Sequence, residues 1–377
     1  MKNTKTVVIL NQAAGYLQID MLEAFLRKFN TRVIVAGTIV ERGTSLPKDV
    51  KWHKTIKYNR KSLMKRVFTW LVATAQMIWI VAFRYRKAHI VAISNPPFSI
   101  YIPWLLKVKS YDIIVYDMYP DALANFGYSS RNSLLYKIWA KLNRKTFEKA
   151  RRVFTLTKGM KELVFNYTSE SSKIQVVPLW SDAADFKKVS AEDNVIRAKT
   201  DSLNKFCVVY SGNWGLTHPL ETLISLAEYL DSEIFSIIII GGGAKEKMLK
   251  ETLETKKYPH VHLLPWQPIE MLAHSLHAAD LSVITLDKEA SNLSIPSKLY
   301  NIMSAGNPVL GICQNESGLA QLITQGDFGF VTDGQNLEDV AQKIKQLQLN
   351  VAEQKRFRHN SLGASKKFTK KNAFKYL

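Results

Sequence analysis

Residues Ser294 to Ile312 read SIPSKLYNIMSAGNPVLGI and combine a helix with the strand that follows it. Pro296 favours a helix start, where its missing N–H costs nothing, and Ser297 falls in the first turn. Lys298 is the unusual residue, because the positive end of the helix dipole disfavours a cation. A bound phosphate would offset that repulsion. The pattern therefore indicates an anion site, although a plain helix that ends at Gly306 stays open as the alternative.

Outward from this stretch, apolar runs alternate with helical patterns, which predicts an α/β fold with parallel sheets flanked by helices. Six runs predict strands in the first half: TVVIL, TRVIVAG, AHIVAIS, DIIVYD, RRVFTLT and KIQVVPL. Five predict strands in the second half: FCVVYSG, FSIIIIGGG, HVHLLPW, LSVITL and NPVLGI. A length of 377 residues favours two domains. Their boundary is expected near VVPLWSDAADF, where a polar stretch follows a strand.

Two glycine-rich segments follow predicted strands of the second half. They are YSGNWG at 210–215 and GGG at 241–243. Glycines at such places let backbone N–H groups approach a diphosphate, and a tight turn explains either segment equally well. Ligands of open α/β sheets bind beyond the carboxyl ends of the strands. Candidate residues at the corresponding positions of the first half are Gly15, Asn95, Pro97 and Asp117.

The positive charge is concentrated in the first half. Residues 1–188 hold 32 Lys and Arg against 12 Asp and Glu, a net charge of +20. Residues 189–354 hold 12 against 20, and residues 355–377 hold eight basic and no acidic residues. This asymmetry favours a polyanionic partner for the first half, either nucleic acid or an anionic membrane, and a solvated basic face is the alternative.

One uncharged run affects that choice. VFTWLVATAQMIWIVAF, at 67–83, lies between cationic clusters and contains Trp70 and Trp79. A spanning helix needs about 20 predominantly apolar residues, and this run is shorter and includes polar side chains. Two hypotheses remain: a helix lying in the lipid headgroup layer, with the tryptophans as anchors, or a core helix of the α/β domain.

The two cysteines, Cys207 and Cys313, lie in apolar runs, so we expect buried thiols and a reducing compartment. The amino-terminal MKNTKTVVILNQ predicts a first strand and not a signal peptide. We therefore expect a cytoplasmic protein. Histidines are scattered and no carboxylate pair ends a strand, so no metal site is predicted.

Several segments resemble glycosyltransferase family 4. In the second half these are YSGNWGLTHPLETL, LPWQPIEMLAHSLHAADLSVITL and PSKLYNIMSAGNPVLG. In the first half, SNPPFSIYIPWL, YDMYPDAL and FEKARRVFTLTKGMKELV are similar to the bacterial surface-polysaccharide branch, which includes fucosamine transferases of O-antigen assembly. The resemblance implies a GT-B fold, in which two Rossmann-like lobes face each other across a cleft. The expected domains are an acceptor lobe (1–180), a donor lobe (181–354) and a basic segment (355–377) that packs back on the acceptor lobe.

The resemblance also implies a donor site for a UDP- or GDP-linked sugar. Its residues would be Gly212, Asn213, Trp266, Ser297, Lys298 and Asn301. The Gly212–Asn213 turn and the Ser297–Lys298 pair would hold the diphosphate, and Trp266 would stack beside the base. Asn301 would bond a ribose hydroxyl. Gly15, Asn95 and Pro97 would contact the acceptor. Enzymes of this fold stabilise the leaving diphosphate with helix dipoles and basic residues, so we expect no metal and no cofactor.

Departures from the family pattern bear on the mechanism. The family's two glutamates would fall at Leu293 and Asn301, and neither is glutamate here. Asn213 stands where arginine is common, and His218 lies near the usual lysine. Retention of configuration is usual in the family, and inversion stays open.

Asp117 is the candidate catalytic residue, at a strand end where many relatives place a histidine facing the sugar. A carboxylate there suits a general base toward an acceptor hydroxyl, or it stabilises an oxocarbenium-like state. An aspartate that caps the turn before Pro120 is the structural alternative.

These observations together predict a glycosyltransferase that extends a lipid-linked (polyprenyl-diphosphate) saccharide for O-antigen or capsule synthesis, at the inner face of the cell membrane. A nucleotide-sugar epimerase on the same fold would need paired acid and base residues around the sugar, which the sequence does not show. A nucleic-acid-binding protein fits the charge, but no RNA- or DNA-recognition pattern occurs.

Overall fold

The computed structural model divides the chain into two compact units, Met1–Leu179 with Lys370–Leu377 and Trp180–Thr369. It describes residues 5–41, 43–59, 61–125, 127, 129–181, 188–215, 218–286, 288 and 295–377. All strand pairings in both units are parallel among the described residues.

The first unit has a seven-stranded sheet in the order β5-β3-β1-β6-β7-β8-β9, and β2 pairs with β4 beside it. Its strands are β1 (Thr6–Leu10), β2 (Ala13–Ala14), β3 (Thr31–Ala36), β4 (Thr38–Ile39), β5 (Lys51–Lys54), β6 (His89–Ile93), β7 (Tyr111–Val115), β8 (Arg152–Thr155) and β9 (Ile174–Val176). Its α-helices are α1 (Tyr16–Phe25), α2 (Leu63–Ile80), α3 (Ile102–Leu105), α4 (Asp121–Asn125), α5 (Leu134–Lys149) and α6 (Lys158–Phe165). A π-helix (Val81–Tyr85) extends α2, and 3-10 helices occupy Pro97–Tyr101, Ser171–Lys173 and Lys370–Tyr376.

Alternation along the strands places two apolar faces on this sheet. One face, with Val8 and Leu10 of β1, packs against side chains of α2, α3, α5 and α6 in a single core cluster. Helix α1 contributes no residue to that cluster among the described residues, and it packs instead with the 3-10 helix Lys370–Tyr376. The two layers of helices therefore lie on opposite sides of the sheet.

A buried carboxylate ties the carboxy-terminal segment to this sheet. Asp112 of β7 is 1% exposed and accepts hydrogen bonds from Arg151 (Nε, 2.9 Å) and Arg152 (Nη2, 2.8 Å). Arg152 also donates to the carbonyl of Tyr376 at 2.7 Å. Burial alone would raise the pKa of Asp112, but hydrogen bonds from His89 and the two arginines hold it well below its usual range.

The second unit has a six-stranded sheet in the order β12-β11-β10-β13-β14-β15. Its strands are β10 (Phe206–Asn213), β11 (Phe235–Gly242), β12 (Val261–Pro265), β13 (Leu281–Thr285), β14 (Val309–Ile312) and β15 (Gly329–Thr332). Its α-helices are α7 (Val195–Lys199), α8 (Glu221–Leu226), α9 (Glu246–Lys256), α10 (Leu272–His277), α11 (Lys298–Ser304), α12 (Gly318–Gln325), α13 (Leu337–Leu349) and α14 (Val351–Ser365). Cys207 and Cys313 are buried free thiols, as expected from the sequence.

The carboxy-terminal boundary differs from the one the sequence predicts. We expected residues 355–377 to pack on the first lobe, but only Lys370–Leu377 belongs to the first unit. Residues up to 365 continue α14, which packs on α11 and α13. The reason is apolar burial, because Phe357 lies in the core of the second unit and is 5% exposed.

All eleven predicted strands form, and the sequence missed the edge strands β5 and β15. Strand β5 reads KWHK and is mostly exposed, and β15 reads GFVT and is half-buried throughout. An edge strand buries too little to need a continuous apolar run, so neither segment gives a strand signal.

We expect Asp112→Asn to lower the free energy of unfolding by about 3 kcal/mol. This is the lower end of the range for breaking a buried ion pair, because Arg151 and Arg152 are 39% and 19% exposed. Urea unfolding at pH 7 measures it, with Glu170→Gln as control, since the Glu170–Lys173 pair is exposed and should contribute little. A carboxyl with a depressed pKa stabilises above its unfolded pKa. The difference between wild type and variant should therefore shrink below about pH 4, and a pH-independent difference would contradict this assignment.

Candidate active site

The carboxyl ends of β10 and β11 meet closely in the second unit. Gly212 pairs with Gly241, and Asn213 pairs with Gly242. A Cβ on Gly241 would lie 1.9 Å from the carbonyl oxygen of Gly212, so no other residue fits this approach. Strand β10 runs through Asn213, so the two residues predicted to form a turn are extended backbone. The chain leaves the sheet one residue later, at Trp214.

Lys298 reaches this strand end from α11. Its Nζ is buried, although the residue as a whole is only partly buried, and this Nζ lies 3.7 Å from the ring centroid of Tyr210. A Cβ on Gly212 would lie 2.8 Å from the same Nζ, so the glycine makes room for the ammonium. Nζ has no hydrogen-bond acceptor among the described residues, and burial lowers the pKa of Lys298 to about 7. A buried cation without an acceptor beside glycine backbone suits an anionic ligand.

Neutral and aromatic groups surround this lysine. Nδ1 of His218 lies 2.9 Å from Oγ1 of Thr285, and the ring of His218 lies 6.2 Å from that of Tyr210. Burial, followed by the charge of Lys298, lowers the pKa of His218 to about 4, so its imidazole is neutral at pH 7. The Tyr210 hydroxyl donates to the Asn213 carbonyl at 2.8 Å. The sequence did not identify Tyr210 or Thr285, because both lie in strands that read as ordinary core.

Trp266 lies beside the same glycines. It follows β12, it is 59% exposed, and its Nε1 is 3.0 Å from the position of a Cβ on Gly242. The structure thus brings Lys298, Gly212 and Trp266 to one edge of the sheet.

The other predicted donor residues lie on or beside α11. Ser297 is the N-cap of α11 and makes no capping hydrogen bond through its side chain. The predicted start at Pro296 is therefore two residues early. Asn301 lies one turn along, and its Oδ1 accepts a hydrogen bond from Oγ of Ser181 at 2.9 Å. Its amide N–H₂ is then the group that can face a ribose hydroxyl. Leu293 lies outside the described residues.

In the first unit, the predicted acceptor residues follow the adjacent strands β1, β6 and β7. Gly15 caps α1, with its N–H donating to Oε1 of Gln18 at 3.0 Å. The carbonyl of Asn95 accepts from the N–H of Gln12 at 2.7 Å. Oγ of Ser94 accepts from the N–H of Asp117 at 3.1 Å. The structure therefore brings Asn95 and Asp117 together at one edge. Pro97 is buried at the start of its 3-10 helix, so its ring packs inward.

The two aspartates of YDMYPD, Asp117 and Asp121, lie in different environments. Asp121 is 3% exposed and accepts hydrogen bonds from the hydroxyls of Tyr136 (2.8 Å) and Tyr167 (2.6 Å). Asp117 is exposed. Asp121 is held by structural contacts, and Asp117 is the carboxylate that a substrate can reach.

A row of aromatic rings accompanies Asp117 at this edge, and the sequence analysis missed it. Consecutive rings have centroids 5.4 to 6.1 Å apart, in the order Phe98, Trp139, Tyr119, Trp70 and Tyr58. The five come from five separate segments, so no local pattern could reveal the row. The sequence analysis singled out only Trp70, as a possible lipid anchor, and in the structure its ring is buried in this row.

Comparison with known proteins agrees with this geometry. Residues 192–362 match the model of the family described as Glycosyl transferases group 1. The match lies within the second unit and covers less than half of the chain, so it shows that this part is similar to group 1 glycosyltransferases. The resemblance to glycosyltransferase family 4 seen in the sequence is thereby confirmed for this part of the chain.

Two curated proteins are similar to parts of this chain. The chain is 21% identical over 218 residues to a probable glycosyltransferase, WbjE, of Pseudomonas aeruginosa, covering 58% of this chain and 54% of that one. It is 26% identical over 172 residues to the putative colanic acid biosynthesis glycosyl transferase WcaI of Escherichia coli K12, covering 45% and 42%. The chain thus spans about half the length of the curated relatives it matches.

Solved structures establish the fold of this chain over nearly its full length. Alr3699/HepE of Anabaena, in complex with UDP and glucose, has a TM-score of 0.71 at 13% identity and covers 99% of this chain and 98% of its own. WaaG, a glycosyltransferase involved in lipopolysaccharide biosynthesis, has a TM-score of 0.67 at 15% identity and covers 96% and 95%. The predicted GT-B fold with two Rossmann-like units is confirmed.

We expect Lys298→Met to weaken binding of a nucleotide sugar by about 1.5–3 kcal/mol, roughly 10- to 150-fold, because one charge-assisted contact to phosphate is lost. Methionine keeps the buried stem, and loss of the buried charge should leave the melting temperature equal or higher. Titration calorimetry measures the affinity, with Lys250→Met as the exposed control. An unchanged dissociation constant would remove Lys298 from the site.

The same lysine predicts a pH dependence of donor binding. An anion raises the pKa of Lys298 from about 7, so binding takes up a proton wherever the free site is neutral. The donor dissociation constant should therefore rise by up to tenfold per pH unit above about pH 7, and Lys298→Met should abolish that slope. Equal slopes in wild type and variant would assign the titration to another group.

Proposed function

We propose that this chain is a glycosyltransferase that moves a sugar from a nucleotide sugar to a lipid-linked saccharide during bacterial cell-surface polysaccharide synthesis. The observation that supports it most is the buried ammonium of Lys298, which has no acceptor among the described residues and lies beside Gly212 at the strand edge. A donor diphosphate supplies the missing acceptor. The group 1 domain and the colanic acid and lipopolysaccharide relatives support the same class of reaction.

For the donor, we infer a uridine or guanosine diphosphate sugar of the hexosyl or N-acetylhexosaminyl type. The diphosphate contacts Lys298 and the backbone at Gly212, and the base stacks on the exposed ring of Trp266. The complexes of Alr3699/HepE with UDP and with UDP-glucose favour uridine. As the diphosphate leaves, the ammonium of Lys298 stabilises its developing charge, so these residues need no metal for that step.

For the acceptor, we infer that a saccharide binds at the edge of the first unit that holds Asp117. The partly exposed rings of Tyr119 and Trp139 give flat apolar surfaces on which the C–H faces of a sugar stack. Asp117 then accepts the proton of the attacking hydroxyl, which suits inversion, or stabilises an oxocarbenium-like state in a retaining reaction. The anomeric configuration of the product, followed by NMR, decides between these two roles.

Thermal stabilisation by a panel of nucleotide sugars tests the donor proposal directly. A ligand that binds only the folded protein raises its melting temperature. We expect a shift with at least one UDP- or GDP-sugar in wild type and a reduced shift in Lys298→Met. Equal shifts in both proteins would place the nucleotide elsewhere.

We further propose that the first unit attaches peripherally to the inner face of the cell membrane. Helix α2 and its π-helical extension, Leu63–Tyr85, form the one described helix that is long and apolar enough to cross a membrane. An 18-residue stretch of it has a mean hydropathy of 1.5, and 33% of that stretch is buried. Its inner side packs on the sheet through Ala73 and Met77, both 0% exposed. Both sequence hypotheses thus contribute: the inner side is core, and the outer side is available to lipid.

We expect Asp117→Asn to reduce turnover by roughly 10²–10⁴-fold, the usual range for a lost acid–base group, with little change in donor affinity. A radiolabelled-sugar transfer assay measures turnover, and Glu162→Gln serves as a carboxylate control outside the site. A variant that keeps its turnover but melts early would show that Asp117 only stabilises its turn.

Charge reversal at the start of α2 tests membrane attachment. Lys61→Glu with Lys65→Glu should reduce sedimentation with anionic vesicles more than tenfold, since each cation near such a surface contributes about 1 kcal/mol. Arg66 is left intact because its guanidinium lies 5.2 Å from the ring centroid of Trp70. The matched control in the second unit is Lys199→Glu with Lys345→Glu. Equal losses from both pairs would mean that net charge alone drives adsorption, and tighter binding to oligonucleotides than to vesicles would contradict the membrane as partner.

A further inference from the structure

The outer side of α2 and its π-helical extension is an apolar row. Six large apolar side chains there are more than half exposed: Leu63, Met64, Phe68, Leu71, Trp79 and Phe83. No Asp or Glu occurs between residues 63 and 85. A helix that is apolar on both sides needs an apolar environment on both, and the sheet supplies only one of them.

A second helix repeats this arrangement. The first turns of α5 expose Leu134, Leu135 and Ile138 by 74%, 62% and 51%. The inner side of α5 packs in the core through Ala140 and Phe147, which are 9% and 0% exposed. Composition does not single out α5, because the helix is strongly basic and its exposed apolar residues are confined to its first turns.

Both helices lie on the same side of the sheet. The core cluster contains Met77 and Ile80 of α2 together with Ala140 and Phe147 of α5, and α3 lies between the two helices. Their outer sides therefore point away from the same face of the first unit. Helix α1 and the carboxy-terminal 3-10 helix occupy the opposite face, as described above.

Cations accompany both apolar rows. Lys137 and Lys141 are exposed on α5. A surface pocket of about 310 Å³ lies between β5 and α2, and its lining includes His53, Lys54 and Arg84 beside Trp79. The described lining contains no carboxylate. Lipid phosphates match this chemistry, with their acyl chains against the apolar rows.

We propose that the α2–α5 face of the first unit is a membrane-contact surface for anionic phospholipid, with apolar side chains of both helices entering the headgroup layer. This inference rests on the proposed membrane attachment and adds which face carries it. The first unit holds 33 Lys and Arg against 10 Asp and Glu, a net charge of +23. Such a charge opposes pairing with a second copy of the same face and favours an anionic surface. A bilayer also leaves Met77 and Ile80 in their core positions, which a helix crossing the membrane could not.

Variants of helix α5 provide the decisive test, because attachment through α2 alone does not require α5 to contact the membrane. The full chain is sedimented with vesicles of phosphatidylcholine containing about one-third phosphatidylglycerol, without saccharide or nucleotide. Leu135→Gln with Ile138→Gln should weaken binding roughly 10- to 100-fold, since two apolar side chains no longer enter the lipid. The matched control, Leu26→Gln with Leu349→Gln, removes two exposed apolar residues away from this face and should bind as wild type.

A second measurement avoids any dependence on variant stability. Both native cysteines are buried, so a single surface cysteine can hold an environment-sensitive fluorophore. The label at Ile138→Cys should shift to the blue on addition of anionic vesicles, and the label at Leu26→Cys should not. Pure phosphatidylcholine vesicles and soluble glycerophosphate should leave both labels unchanged, because binding needs the anionic surface and not free phosphate.

The outcomes separate this face from membrane attachment in general. Wild-type binding that Leu135→Gln with Ile138→Gln leaves unchanged, with no shift at Ile138→Cys, would overturn the α2–α5 face while attachment stands. Absence of wild-type binding would overturn attachment and the face together, and glycosyl transfer to a soluble acceptor would remain testable. A blue shift at Ile138→Cys that follows protein concentration without lipid would identify the face as a contact between copies and contradict the proposal.

Discussion

The buried ammonium of Lys298, which has no acceptor in the part of the chain that the structure describes, is the constraint around which the strand end of the second unit is arranged. Lys298 lies over the ring of Tyr210, where the negative face of the ring offsets only part of the cost of burial. The strand end must then lack a Cβ at Gly212, since a side chain there would meet Nζ. Burial lowers the pKa of Lys298 to about 7, so at neutral pH this lysine is only partly charged. In the proposed donor complex a diphosphate raises this pKa again, and the cost of burying the lysine becomes selectivity for an anion.

The parts of the molecule that the sequence predicted are those with a local signal. Continuous Val- and Ile-rich runs predicted the central strands. The segment SIPSKLYN predicted a helix with Lys298 in its first turn. Contacts between distant segments could not be predicted in this way. Tyr210 reads as core until Lys298 is placed over it, and the aromatic row joins Tyr58 to Phe98 through residues of three other segments. The edge strands β5 and β15 were missed for a different reason. They are only partly buried, so their sequences need no continuous apolar run.

Amphipathic character explains why the 67–83 run left two hypotheses open. Composition counts the apolar residues of α2 but not the side on which each lies. In the structure, Met77 and Ala73 face the sheet while Phe68 and Leu71 face outward, so neither a core helix nor a surface helix alone describes it. The composition of helix α5 is misleading in the opposite way. Its many lysines predict a polar helix, but its first turns expose large apolar side chains.

The distribution of charge gives the two units different tasks. The second unit holds 19 Lys and Arg against 22 Asp and Glu, a net charge of −3, whereas the first unit holds +23. The acidic second unit repels both anionic lipid and a nucleotide, so a donor site on this unit needs a local positive charge. Lys298 supplies it, and the loss of the family's glutamate at Asn301 removes a carboxylate from the same helix. In the proposed donor site this departure from the family pattern favours anion binding, and the ribose would meet an amide whose Oδ1 accepts a hydrogen bond from Ser181.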